Sequence, residues 1–598
     1  MLCGAAAIGA ALAATAVPAA EVTLSVAGEE DMRDRVESAS LLLRAEEEGI
    51  ANAQDLVAAA QADYTRIVGR LYSQGYYAPV VNILIDGREA AQIPPLDAPE
   101  AIGRIQILVR TGPRFDFGTA RIGPLAPGTE LPEDFAPGAP AETATIRRAA
   151  QASIEAWRQD ARAKAEIEDQ SIVARVPAAA LDVSIAIRPG PAVTFGRLDI
   201  SGNERVRTAR IREIAGFPTD AAFDPDTLEL ARERLLRTGA FRAVVLEEAE
   251  TLNPDDSLDV SLAVIEALPR QIGFGAEVAT TEGVSLEAYW MHRNLLGGAE
   301  RLRFEGEVSG IAGSTSLGNS GDDPDYRLSA RFDRPATFDA DTDLTLEAEI
   351  EQLDEPNYDS RSVTLEARAL RYATPDLTLS AGIGLRFAEV DDDLGSRSFR
   401  HLTFPLTAEL DRRDDEFDPA AGYYVDLDVK PFVGLGGGSA TGARLFGDAR
   451  TYYGLGDADR LVLAGRLQAG SVVGAEIEET PPDDLFFSGG AGTVRGFPYE
   501  SLGVEINDGD DIVGGRSFLG LSAEARYGVT EKIGVVGFVD AGWVGQDSFG
   551  GDGDSQVGAG LGARYKTGIG PIRFDVAAPV SGDTGDGVQF YLGIGQAF

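Results

Sequence analysis

From Arg270 onward, apolar and polar side chains alternate with a period of two, in runs separated by Gly, Asp, Asn and Pro. Alternation over such lengths marks β-strands with two unlike faces. It predicts sixteen strands, at 270–280, 284–294, 300–310, 325–333, 341–352, 360–371, 376–390, 399–412, 421–433, 440–453, 460–473, 517–529, 532–544, 555–567, 570–578 and 587–598. Most reach the ~9 to 11 residues that a tilted strand needs to cross a bilayer, and an even number returns both ends to one side. In Thr342 to Gln352, for example, Leu344, Leu346, Ala348 and Ile350 alternate with Thr345, Glu347, Glu349 and Glu351. The expected fold is an antiparallel barrel, with the first set facing lipid and the carboxylates facing the lumen. A soluble sandwich would alternate in the same way. The barrel is favoured because Phe590, Leu592, Ile594 and Phe598 carry the pattern to the last residue, and because the chain opens on a leader-like segment.

Between Val22 and Leu268 the period changes repeatedly. Short alternating runs (Val22 to Val26, Val80 to Ile85, Ile105 to Val109) are interleaved with helical runs at Met32 to Glu48 and Ala53 to Gln74. Thr111-Gly112-Pro113 and Pro189-Gly190-Pro191 mark seams. The expected organisation is three small α+β domains at 21–113, 114–190 and 191–268, then the all-β barrel at 269–598. The second runs from Phe115 through a helix at Thr143 to Glu168 and ends at Ile187; Pro and Gly between Gly123 and Pro140 interrupt it. The third has strand Val193 to Ile200, turn Ser201-Gly202-Asn203, helices Thr208 to Ala215 and Asp226 to Thr238, and strands Ala243 to Glu250 and Ser257 to Ile265. Residues 1–20 are uncharged, Ala-rich and end in small side chains, so a signal peptide cleaved near Ala19 is expected.

Composition narrows the function. The 598 residues carry a formal charge of −43, most of it beyond Arg270, which disfavours a nucleic-acid partner. The single cysteine, Cys3, lies in the leader, so a mature chain would have neither disulfide nor thiol chemistry. Two histidines, His292 and His401, and no H-E-x-x-H, G-x-S-x-G or P-loop motif leave little for an enzyme, and no cofactor or metal is expected. The acidic clusters Asp391 to Asp393, Asp508 to Asp511 and Asp552 to Asp554 offer oxygen ligands for weak Ca²⁺ binding but lack EF-hand spacing, and most read as solvated loops.

Specific motifs add to the pattern. The third α+β segment reads DISGNERVRTARIREIAG and LLRTGAFRAV. The barrel contains NLLGGAERL (Asn294 to Leu302), DRRDDEFDPAAGYYV (Asp411 to Val425), GGAGTVRGFPYE (Gly489 to Glu500) and GFVDAGWVG (Gly537 to Gly545). Through these the chain resembles outer-membrane β-barrel assembly and two-partner secretion proteins, which place periplasmic POTRA domains before a 16-stranded barrel. The resemblance implies that the longest inter-strand segment, Gly474 to Arg516, folds into the lumen. It also implies that Arg495, within Val494-Arg495-Gly496-Phe497, meets Asp540 of the strand motif Phe538, Asp540 and Gly542. A guanidinium in a narrow polar lumen needs such a carboxylate to offset its desolvation. A weak seam is expected between the first strand, with Gly273 and Gly275, and the last, with Gly593, Gly595 and Phe598.

Three POTRA units resemble the TamA type of translocation and assembly subunit. That resemblance implies insertion of β-barrel and autotransporter clients into the outer-membrane bilayer. It further implies an inner-membrane-anchored, periplasm-spanning partner of the TamB type. The alternative is a two-partner secretion transporter that exports one dedicated protein.

Overall fold

The computed structural model describes residues 20–28, 31–50, 52–94, 97–279, 283–311, 323–436, 438–456, 459–506, 511–568, 570–582 and 587–594. The expected signal peptide therefore lies outside the described residues. The chain divides into two compact units, one of residues 1–197, 218–226 and 249–259, the other of 198–217, 227–248 and 260–598.

In the first unit, β1 (Glu21–Ala27), α1 (Met32–Glu37), α2 (Leu41–Glu47), α3 (Ala53–Ser73), β2 (Val80–Ile85), β3 (Arg88–Glu89) and β4 (Arg104–Arg110) form a sheet of order β1-β4-β2-β3 covered by helices. Leu42, Ile67, Leu71, Ile83, Ile105 and Ile107 fill its core. The single helix expected at Met32 to Glu48 is two helices. Buried Asp63 on α3 accepts from the Ser40 hydroxyl (2.6 Å) and from the Leu41 and Leu42 amides (2.7 and 3.1 Å), which fixes Ser40 as the N-cap of α2.

Next come β5 (Asp116–Gly123), α4 (Thr143–Gln159), β6 (Glu166–Arg175) and β7 (Ala180–Arg188), in a sheet of order β5-β7-β6. The helix expected to reach Glu168 stops at Gln159. Ala161 takes a left-handed conformation (φ 59°), Arg158 donates to the Ala163 carbonyl (2.8 Å), and the chain returns as β6 along β7. The polar run after Arg158 has no apolar stripe to hold a helix against the sheet, so strand pairing prevails. The Pro/Gly stretch forms turns, leaving α4 alone over this sheet.

The third segment comprises β8 (Thr194–Ser201), α5 (Thr208–Ala215), α6 (Pro225–Arg237), β9 (Phe241–Glu248) and β10 (Ser257–Glu266), in the order β8-β10-β9. Within the second unit, the Glu266 carboxylate accepts from three successive amides, Glu204, Arg205 and Val206, at 2.9, 2.8 and 2.8 Å. Burial alone would raise this carboxyl; the three N–H donors outweigh it and hold Glu266 below the usual carboxylate range. In the same unit Arg234 of α6 makes a two-pronged pair with Asp341, both distances 2.7 Å.

The large sheet then begins with β11 (Arg270–Ala279), β12 (Gly283–His292), β13 (Arg301–Ile311), β14 (Asp325–Arg334), β15 (Thr342–Glu355), β16 (Tyr358–Thr374) and β17 (Leu377–Asp392). It continues through β18 (Arg397–Thr403), β19 (Leu406–Asp411), β20 (Gly422–Gly434), β21 (Gly442–Leu455) and β22 (Leu461–Val473). A small hairpin, β23 (Val504–Ile506) with β24 (Asp511–Val513), stands apart from it. The sheet ends with β25 (Ser517–Gly528), β26 (Ile533–Asp547), β27 (Gly550–Thr567), β28 (Gly570–Ser581) and β29 (Gln589–Ile594). Every neighbour is antiparallel and sequential, giving 17 segments among the described residues.

Seventeen replaces the expected sixteen because one strand is broken. β18 and β19 both pair β17 on one side and β20 on the other. Between them sits Pro405, which has no N–H to give the ladder; its carbonyl accepts from Gly382 (2.8 Å) instead. The alternation sorts as expected on β15: Leu346 and Ile350 are exposed on the outer face, while Thr345 is buried against Asp333 and Glu351 pairs with Arg327 at 2.6 Å. No described helix is long and apolar enough to cross a membrane.

Replacing Glu266 by Gln is expected to destabilise the Glu204–Val206 turn by about 1 to 2 kcal/mol at neutral pH. A depressed carboxyl contributes fully above its unfolded value, about 4.3, and loses that contribution as pH falls through its folded value. The difference between wild type and E266Q is therefore expected to vanish in acid. Hydrogen exchange of the three amides, read at neutral and acidic pH, measures it.

Candidate functional site

Residues 474–516 join β22 to β25 and seat against the inner wall at two places. At the base, Ile477, Leu485, Phe486, Leu502 and Val513 pack against Phe432, Phe518 and Val544 of the strands. Here the loop offers negative charge. Asp484, in a short 3-10 turn, is paired with Lys430 on β20 and with Arg386 on β17 (3.1 Å), and Arg386 also pairs with Asp483. Arg444 on β21 donates to the Asp484 carbonyl at 3.2 Å. Burial works against ionisation of Asp484, but Lys430 and Arg386 beside it hold its carboxyl well below the usual range.

At the tip the polarity is reversed. The Arg495 guanidinium is buried and donates through Nε and Nη2 to both oxygens of Asp540, at 2.7 and 2.9 Å, while the Arg495 amide reaches the same carboxylate at 3.2 Å. Its Nη1 lies 2.8 Å from Glu524 and 3.3 Å from Asp575. The charge also stands 3.5 Å above the Phe538 ring, a cation–π arrangement. Two further arginines complete the balance: Arg526 donates to Glu524 at 2.8 Å and Arg564 pairs with Asp575.

Glycine makes this approach possible. A Cβ on Gly558 would lie 1.9 Å from the Arg495 carbonyl oxygen, and one on Gly542 would lie 2.3 Å from Ser488 and 2.8 Å from Val494. Gly496 has φ 101°, a conformation that side chains disfavour. Val494 and Phe497 are fully buried beside it.

The sequence motifs thus come together in space: Val494 to Phe497 of the loop meet Phe538, Asp540 and Gly542 of β26. Glu524, Asp575, Arg564 and Tyr591 were not singled out by sequence, nor was the Asp484 anchor. One signal was available. Asp575 and Asp540 are acids in strand stretches whose adjacent residues Phe574 and Val539 are exposed outward. Of the seam residues, Gly273, Gly275 and Gly593 lie on β11 and β29, whereas Gly595 and Phe598 lie outside the described residues. The space beside Gly273 is filled by the Tyr289 ring, 2.2 Å from where a Cβ would stand. The lumen face elsewhere holds His401, buried between Phe399 and Phe432.

Against known proteins, a family model described as the Omp85 superfamily domain matches residues 294–598, and a POTRA model, described as a surface antigen variable number repeat, matches residues 193–266. The chain belongs to the Omp85 superfamily. Its barrel accordingly lies in the bacterial outer membrane, with the POTRA-bearing segment in the periplasm. BamA of Nitratidesulfovibrio vulgaris, an outer membrane protein assembly factor, is 25% identical over 448 residues, 70% of this chain and 53% of that protein. The chain thus spans about half the length of the curated relatives it matches. Among solved structures, BamA of Haemophilus ducreyi lacking POTRA domains 1–3 shares the fold, with TM-score 0.59, 16% identity, and coverage of 80% of this chain and 99% of that one. CdiB of Acinetobacter baumannii gives TM-score 0.50 at 13% identity, covering 80% and 89%. These likenesses support the Omp85 superfamily at large rather than its TamA branch.

If the Omp85 loop is seated as described, Gly558→Ala must push its tip off the wall. The expected loss is about 1 to 3 kcal/mol, the usual range for overpacking. Gly528→Ala, where the nearest atom to a Cβ is 3.7 Å away, is expected to change stability by less than about 0.5 kcal/mol. Urea unfolding of the two variants in lipid vesicles makes the comparison.

Proposed function

We propose that this chain is a non-enzymatic outer-membrane assembly factor. It inserts or translocates β-barrel and autotransporter proteins, together with an inner-membrane-anchored partner that spans the periplasm, as TamA acts with TamB. The observation that carries this reading is the edge of the sheet. β11 and β29, its two ends, come within 8 Å of each other, with Gly273 and Gly275 on one and Gly593 on the other. Backbone N–H and C=O groups exposed by parting β11 from β29 at membrane depth would be costly, so an incoming client strand that supplies partners would be favoured there. A passive pore fits poorly with a lumen in which a loop is anchored by buried charges at two places.

Among the described residues three α+β segments, each with its own sheet, precede the barrel. The second offers a docking edge for a partner strand. β6 ends its sheet and is exposed along its whole length. Beside it a groove of about 570 Å³ is lined by Ile146 and Ala150 of α4, Ile172 and Ala174 of β6, and Leu181 and Ile185 of β7. An added strand would bond to the β6 backbone and place alternate apolar side chains in the groove.

Two measurements test the proposal. Photo-crosslinkers at Val80 and Val173, both exposed on periplasmic strands, are expected to capture in cells a large inner-membrane-anchored protein. Capture of one secreted protein and no such anchor would make the chain a two-partner secretion transporter. A disulfide between β11 and β29 is expected to abolish client insertion; insertion at the wild-type rate would remove the seam from the mechanism.

A further inference from the structure

The turn between β19 and β20 does not stay at its own strands. Counted from β11, which follows the POTRA segment, this turn and the β27–β28 turn both lie on the periplasmic side. Residues 412–421 fold inward, where Ala420 packs against Tyr452 of β21 and Val462 and Ala464 of β22. Those three side chains face the lumen, because their neighbours Tyr453 and Leu463 are exposed on the outer face. Farther along the turn, Asp418 pairs with Lys566 at the end of β27, at 2.7 Å. The strands β21, β22, β25 and β26 stand between β20 and β27, about 24 Å along the sheet at the usual spacing. The turn therefore crosses inside the arc of those four strands.

Its own bonds give it the stiffness for that reach. Asp414 accepts from the Ala420 and Ala421 amides, both at 3.0 Å, and Asp415 from those of Phe417 and Asp418, both at 2.8 Å. The neck is closed by the Arg412 amide on the Tyr423 carbonyl at 2.8 Å. Gly422 beside it has φ 95°, and a Cβ there would stand 2.0 Å from the Arg412 carbonyl oxygen, which leaves room for glycine only. A cleft of about 550 Å³, lined by Phe417, Thr567 and Pro571, lies beside the tip.

We propose that residues 412–421 form a strap that covers the lumen wall on the periplasmic side, fastened at its tip by Asp418 to Lys566. Because its internal bonds hold its shape, the strap lifts as one piece when that ion pair breaks, and the wall behind Ala420 is then open to the periplasm. A polypeptide entering the lumen from below would have to displace it. The strap stands in this place whether or not the seam opens.

The test uses the full chain in lipid vesicles, with Cys3→Ser to remove the one native thiol and Ala464→Cys to place a single thiol behind the strap. Its labelling rate by a membrane-impermeant maleimide on the periplasmic side measures how often the strap lifts. A second chain with Ala421→Cys, exposed on the turn itself, shows that the reagent has access. With the ion pair intact, Ala464→Cys is expected to label at least about tenfold more slowly than Ala421→Cys. Asp418→Asn and Lys566→Met are each expected to speed it about two- to fivefold, the factor a partly exposed ion pair supplies. The exchanged pair, Asp418→Lys with Lys566→Asp, is expected to return the rate toward that of the native pair. Equal labelling at the two positions would mean that nothing covers the wall, and unchanged rates in both single variants would mean that the ion pair fastens nothing; either result overturns the proposal. If the exchanged pair labels as fast as the single variants, pairing is not what holds the tip, and the proposal is overturned as well.

Discussion

A guanidinium taken out of water must be met by carboxylates, and Arg495 is met by three. The cost of desolvating an ion is several kcal/mol even after relaxation, so the position is tenable only because Asp540, Glu524 and Asp575 converge on it with good geometry. Much of the second unit follows from that requirement. The loop tip must reach the wall, so Gly558 and Gly542 leave room for it. The three acids must face inward from β25, β26 and β28, which fixes the parity of those strands and puts Leu521, Val539 and Phe574 on the outside.

The two anchors of the loop have opposite sign. Its base brings Asp483 and Asp484 to Arg386, Lys430 and Arg444, whereas its tip brings Arg495 to a wall of carboxylates. A loop shifted along its own length or turned end for end would set like charges together, which is strongly unfavourable at low dielectric. The charge pattern therefore favours the observed seat over shifted or reversed ones.

Much of this was legible in the sequence, for a physical reason. Period-two alternation is a local signal, and it located the barrel strands from Arg270 to Ile594 because each must show one face to lipid. The break at Pro405 was visible only as a proline within an otherwise alternating run. Where the sequence misled, tertiary partners decided: Asp63 split the helix at Ser40, and pairing with β7 turned the end of an expected helix into β6. The clamp was legible through family motifs at Arg495 and Asp540. Tyr591 was not, because its partner Gly496 lies 95 positions away and leaves no periodic trace.

The most direct measurement is the coupling free energy between Arg495 and Asp540. Arg495→Ala, Asp540→Ala and the double variant would be unfolded in urea from lipid vesicles. Each single change strands a buried charge, so a loss of about 3 to 5 kcal/mol is expected from either, with the double variant losing clearly less than the sum. Strict additivity, or single losses near zero, would contradict the clamp on which the account depends.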